Sequence, residues 1–233
     1  MDETAMYLNA SCLYVVAETG QPALHIGPND EENLTVLVSV NADGEVAVPM
    51  AVFARKRLPA AHILNKMPKN WCFGKSDTGW MTCWVSYEFI ARFYPYLKSK
   101  NVEFPVIVFL DNHITHLSLP LSEFCEKHGI IIVCFCPNCT HFLQVLHVVF
   151  FRPLKQRWSK TLDLFRLTHK GRDIKKEDIP NTLQEIFDGF DFIDGICNGF
   201  RSCGLYPFGP DNVDFTKLVT NKVEKLNPTY CFR

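Results

Sequence analysis

Two short apolar runs set the pattern of this chain: Val106–Leu110 (VIVFL) and Ile130–Cys134 (IIIVC), each followed at once by polar residues. Runs of this length, rich in β-branched residues, predict buried parallel strands. Between them Leu117, Leu121, Phe124 and Cys125 recur at three- and four-residue spacing, with Glu123 and Glu126 on the other side and Gly129 as a stop. That is an amphipathic crossover helix, so the implied unit is strand, helix, parallel strand. In such sheets chemistry sits just beyond the carboxyl ends of the strands. Asp111-Asn112-His113 follows the first run, and Asn138, Thr140 and His141 follow the second.

The flanking pattern extends this unit. Leu34–Val40 and Val46–Phe53 enclose Asn41-Ala42-Asp43-Gly44, and Asp-Gly between β-branched runs predicts a hairpin. Residues 7–16 are apolar enough for a short strand or a loop. Val85, Phe89, Phe93 and Leu97 predict an amphipathic helix kinked at Pro95. Phe142 to about Lys170 predicts a long helix interrupted at Pro153, with an apolar face of Leu146, Phe150, Leu154, Trp158, Leu162 and Phe165. Ile174–Asn181 reads as a charged turn, and two shorter helices follow over Leu183–Phe190 and Ile193–Phe200. Trp71, Phe73, Trp80 and Trp84, set behind Arg55-Lys56-Arg57, read first as loop-to-core packing and second as a base-stacking surface.

At 233 residues and 47% hydrophobic, the chain can bury a sizeable core. Its net charge of -1 excludes a general polyanion binder, so any nucleic-acid contact must come from a local patch. Such a patch exists: residues 152–176 hold nine Lys or Arg against Asp163 and Asp173, whereas residues 177–214 hold eight acidic groups against Arg201. Most of the ten cysteines lie in apolar runs, where a thiol acts as a small hydrophobe, and a reducing compartment is expected. Cys134, Cys136, Cys139 and His141 are spaced too tightly for one tetrahedral zinc.

Several separate stretches together resemble the DDE superfamily transposase domain of the pogo, Tigger and jerky type. They are Asp2-Glu3-Thr4, the hairpin Thr35–Arg57, LDNHITH from Leu110 to His116, CFCPNCTHFLQVLHVVFFRPLKQRW from Cys134 to Trp158, and Gly199–Asp214. The resemblance implies an α/β, RNase H-like fold, a mixed sheet flanked by helices. In it, three carboxylates hold two divalent ions, Mg2+ or Mn2+, for phosphodiester chemistry. Asp2 matches the first carboxylate and Asp111 the second, while the third position is His147. A neutral imidazole supplies no negative charge and suits Mn2+, Fe2+ or Zn2+ better than Mg2+. His113, matching the family His, and His141 are expected to support the site; His116 also flanks the Asp111 strand end, where it either orients Asp111 or a metal-bound water or merely starts the next helix.

The resemblance further implies a core over residues 1–170 and a C-terminal helical extension over 171–233. The family's N-terminal helix-turn-helix and the strand leading into the first Asp do not precede Asp2, so the first strand is expected to be missing, or replaced by Ala5–Val16. The leading expectation is a nuclear, DNA- or RNA-associated domain, degenerate as an endonuclease, with Arg152, Lys155, Arg157 and Lys160 on phosphates. One alternative is an active metal-dependent nuclease with Asp2, Asp111 and His147 as its ligands. The other is a non-enzymatic interaction protein or decayed transposon fragment.

Overall fold

The computed structural model describes residues 1–8, 33–68, 70–189 and 191–218. Four strands form one sheet in the order β1 (Asp2–Tyr7), β2 (Asn33–Val38), β3 (Met50–Ala54), β4 (Cys72–Ser76). The first two pairings are antiparallel and the third is parallel. A second, two-stranded sheet pairs β5 (Val106–Leu110) with β6 (Ile130–Cys134) in parallel. Helices α1 (Ala61–Leu64), α2 (Cys83–Ser99), α3 (Leu119–His128), α4 (Thr140–Leu143), α5 (Phe151–Thr168), α6 (Ile179–Asp188) and α7 (Ile193–Ser202) are joined by short 3₁₀ and π-helical turns.

The predicted hairpin forms where the sequence placed it. Asn41 Oδ1 accepts the Glu45 amide at 2.8 Å, and Gly44 takes φ +89°. A side chain there would also collide with Ile193, whose carbonyl oxygen lies 2.7 Å from the position a Cβ would take. The crossover unit is equally faithful, with α3 ending at Gly129 in the left-handed conformation, φ +69°.

Alternation along the strands divides the core into two layers. Val36 and Val38 of β2, Ala51 and Phe53 of β3 and Met6 of β1 face the cluster formed with α5, α6 and α7. Leu37, Met50 and Val52 face the other way, toward Phe89, Ile90 and Phe93 of α2 and Leu121 and Cys125 of α3. The result is a mixed α/β sandwich with helices on both faces.

Asp2 opens β1, which takes in Ala5–Tyr7 of the expected substitute Ala5–Val16, while Asn9–Val16 lie outside the described residues. Three details depart from the expectations. Cys72–Ser76, read as part of an aromatic loop, is a strand: Trp71 beside it packs edge-on against Phe187 at 4.9 Å, while Trp80 and Trp84 stay exposed. The break in the long helix falls ahead of Pro153. Residues Leu146–Phe150 form a π-helical turn, and Pro153 then sits in the first turn of α5.

Finally, the C-terminal helices are core elements. Ile179, Leu183, Ile186, Phe192 and Ile196 share one hydrophobic cluster with β1–β3 and α5, and α6 starts within the expected turn. Phe150 is fully buried, with its ring centroid 4.1 Å from that of Phe192. We expect Phe150→Ala to lower unfolding free energy by about 3–5 kcal/mol, read as a urea midpoint shift. A loss below about 1 kcal/mol would place that ring outside the cooperative core.

Candidate active site

Strand alternation decides where the acidic residues of β1 go. Asp2, Thr4 and Met6 are buried and Glu3 is partly exposed, so the neighbouring carboxylates Asp2 and Glu3 leave the strand on opposite faces. Asp2 points toward the π-helical turn ahead of α5, where His147 Nε2 lies 2.8 Å from its Oδ2. Its other oxygen accepts the Glu3 amide at 2.9 Å. Burial, the largest influence, pushes the Asp2 carboxyl above the usual carboxylate range, against the pull of His147 toward the charged form.

Glu3 and Asp111 converge on a different imidazole. His116 Nε2 is 3.3 Å from Glu3 Oε2 and 3.3 Å from Asp111 Oδ1, and its Nδ1 is 3.3 Å from Ser86 Oγ on α2. The ring is fully enclosed, held by the 3₁₀ turn Ile114–His116 that follows β5. Desolvation, the strongest single effect, lowers its pKa, yet the Glu3 hydrogen bond and the charges of Glu3, Asp111 and Asp2 together hold it above the ordinary value.

His116 therefore does more than start a helix: it joins the ends of two strands. His113 is exposed, its amide donating to Asp111 Oδ1 at 3.3 Å and its ring Nδ1 lying 2.8 Å from Thr115 Oγ1 and accepting the Thr115 amide at 3.5 Å. His141 sits in α4 with its ring edge against Phe142. Glu3 and His116 carried a signal in the sequence, Glu3 as the neighbour of a candidate ligand and His116 as the second His of NHITH, but only the fold shows that they meet.

Two carboxylate–imidazole groups thus stand where the resemblance implied one three-ligand set. Among the described residues, no three His, Cys, Asp or Glu side chains gather closely enough to hold a metal ion. Asp2 Oδ2 and Glu3 Oε2 are buried, each facing its own imidazole. As placed, Asp2, Asp111 and His147 do not fit a pair of Mg2+ or Mn2+ ions.

Beyond His147 the surface turns basic. An open groove of about 680 Å3 is lined by Thr4, His147, Phe151, Arg152, Lys155, Gln156, Ser159 and Lys160. Arg152, Lys155 and Lys160 are exposed along it. Arg157 is elsewhere: it donates to Gly189 O at 2.7 Å and ties α5 to the end of α6. Further along the basic segment, Arg166 pairs with Asp173 at 2.7 Å and Arg172 with Asp178 at 2.8 Å, which removes much of its excess charge from the surface.

This architecture defines the class as an RNase H-like α/β domain with its carboxylates at the strand ends. The model of the DDE superfamily endonuclease family matches residues 31–188, and the chain belongs to that family. Over 188 residues it is 30% identical to a Cochliobolus lunatus protein named MFS-type transporter clz9, covering 81% of this chain and 20% of that protein. Among the described residues no helix is long and apolar enough to cross a membrane.

Three solved structures share the fold. The Mos1 transposase paired-end complex with left transposon end aligns at 13% identity and TM-score 0.52, over 90% of this chain and 54% of that one. The Mos1 Strand Transfer Complex aligns at 12% identity and TM-score 0.57, over 87% and 50%. The Mos1 mariner paired end complex with Mn aligns at 13% identity and TM-score 0.57, over 91% and 52%. The chain spans a fifth of the curated relative and about half of each Mos1 chain.

Because His116 binds protons more tightly folded than unfolded, its contribution to stability is complete below about pH 6.5 and fades as pH rises through the raised folded value. An NMR titration should show its ring titrating above that ordinary value, and Asp111→Asn should lower the midpoint. A midpoint unchanged by Asp111→Asn would remove the electrostatic link.

Proposed function

We propose that this is a transposase-derived, DNA-associated domain that binds duplex backbone along α5 and does not cleave it, acting in the nucleus where such DNA lies. The observation that carries the reading is the Asp2–His147 contact: an imidazole stands 2.8 Å from the first carboxylate, where a two-ion centre requires a third carboxylate. Without that charge, two adjacent cations lack the anionic ligands that offset their mutual repulsion.

Binding survives this loss because it rests on different residues. Arg152, Lys155 and Lys160 line a groove whose lining among the described residues holds no carboxylate, and Gln156 and Ser159 add neutral donors between them. Such contacts carry no base information, so the expected binding is sequence-tolerant and steeply salt-dependent. A-form RNA presents the same phosphates, and competition between the two duplexes measures any preference.

Fluorescence anisotropy with a labelled duplex tests both halves. Affinity should fall linearly with salt on a logarithmic plot, and the triple variant Arg152→Ala, Lys155→Ala, Lys160→Ala should flatten the slope by about 2–3. Nicking assays with Mg2+ or Mn2+ should yield no product. Binding that ignores salt, or is unchanged in the triple variant, would contradict the backbone reading. Cleavage abolished by Asp111→Asn would instead establish a working nuclease.

A further inference from the structure

Cys136-Pro137-Asn138-Cys139 makes one tight turn in the connection between β6 and α4. The Cys139 amide donates to Cys136 O at 3.3 Å, Pro137 holds the second position, and Asn138 takes φ +64°. Proline fixes a negative φ ahead of that positive one, which makes this a type II turn, and Asn is one of the few residues suited to its third position. Cysteines at the first and fourth positions of a β-turn have Cα atoms less than about 7 Å apart, close to the range of about 4.4–6.8 Å that a disulfide spans.

Both flanks hold the turn in place. On the strand side the Phe135 amide donates to Leu110 O at 2.9 Å, and the Phe135 ring stacks on that of Phe109 with centroids 5.7 Å apart. On the helix side Phe142 is buried, and the amides of Phe142 and Leu143 donate to Cys139 O at 3.2 and 2.9 Å. The backbone between the two thiols is therefore ordered before any bond joins them, and closing so short a loop costs little further entropy.

The two thiols differ in their surroundings. Cys136 is exposed, whereas Cys139 is half-buried with its Sγ donating to Pro137 O at 3.7 Å. Burial first, and the neighbouring Cys136 sulfur second, push the Cys139 thiol up. An exposed sulfur open to attack beside a sheltered one held as the thiol is the arrangement that separates an attacking from a resolving cysteine. Among the described cysteines this is the only pair spaced three residues apart; Cys134, the last residue of β6, is fixed in the ladder opposite Leu110.

We infer that Cys136 and Cys139 form a redox dithiol that exchanges with a small disulfide of the glutathione type, Cys136 attacking and Cys139 resolving. The Cys136 thiolate bonds to one sulfur of the small disulfide, whose S–S bond breaks and releases the first small thiol. Cys139 then gives up its proton and bonds to the Cys136 sulfur, breaking the mixed disulfide and releasing the second. Two protein thiols are oxidised, one small disulfide is reduced, and both protons leave on the two small thiols. In a reducing compartment the pair rests as two thiols and closes when disulfide accumulates. The site is independent of the α5 groove, so DNA binding and thiol exchange stand or fall separately.

The test equilibrates the full chain with glutathione and glutathione disulfide at fixed pH, quenches with acid, alkylates the remaining thiols and reads the peptide spanning Cys134–Cys139 by mass spectrometry. That peptide should lose two hydrogens and take up label at Cys134 alone, with the chain's oligomeric state unchanged. Cys139→Ser should stop the reaction at a glutathione adduct on Cys136, and Cys136→Ser should slow modification of Cys139 about tenfold. Cys134→Ser should leave closure as it was. Asn138→Val, which disfavours the left-handed backbone, should lower the equilibrium constant for closure about tenfold, whereas Asn138→Gly should not. A pair that stays reduced in a large excess of glutathione disulfide overturns the proposal, as do separate adducts on both sulfurs or a covalent dimer. Closure lost in Cys134→Ser, or unaffected by Asn138→Val, overturns it too.

Discussion

An imidazole 2.8 Å from a buried carboxylate couples the first strand to the long helix of this domain. Asp2 stands at the start of β1 with its charge disfavoured by burial, and His147 is the group that faces it from the π-helical turn. The turn itself follows from the break between α4 and α5, which swings residue 147 out of the hydrophobic face formed by Leu146 and Phe150. A carboxylate at that position would confront Asp2 with a like charge, which a bound cation or a proton shared by the pair would relieve. On the proposed reading, the imidazole stands beside Asp2 where a cation would otherwise be needed.

The same alternation that sends Asp2 toward His147 sends Glu3 toward His116, so the acidic residues of the site are divided between two faces of one strand. His116 then does for Glu3 and Asp111 what His147 does for Asp2. Charge in the rest of the domain is balanced in a similar local way: Arg166 and Arg172 are met by Asp173 and Asp178, and Arg157 by the carbonyl of Gly189. Exposed at the surface beside the site, among the described residues, is the row of Arg152, Lys155 and Lys160.

Much of this was legible in the amino-acid sequence because short-range pattern governed it. The runs Val106–Leu110 and Ile130–Cys134 are strands to the residue, and Gly129 and Gly44 have the positive φ their positions demanded. β4 was hidden because Cys72–Ser76 contains Gly74 and Lys75 and no β-branched residue, and its strand state comes from pairing with β3. Asp2, Asp111 and His147 were identifiable from motif resemblance, but which imidazole meets which carboxylate depends on contacts across more than a hundred residues. The role of Arg157 was hidden for the same reason, since its partner Gly189 lies at the end of a helix that the sequence reading placed in a C-terminal extension.

Calorimetric titration of Mn2+ into the chain and into His147→Asp addresses the central claim directly. The native chain should show no saturable binding, and His147→Asp should acquire one that is lost again when Asp111→Asn is added. Saturable Mn2+ binding by the native chain, abolished by Asp111→Asn alone, would contradict the account.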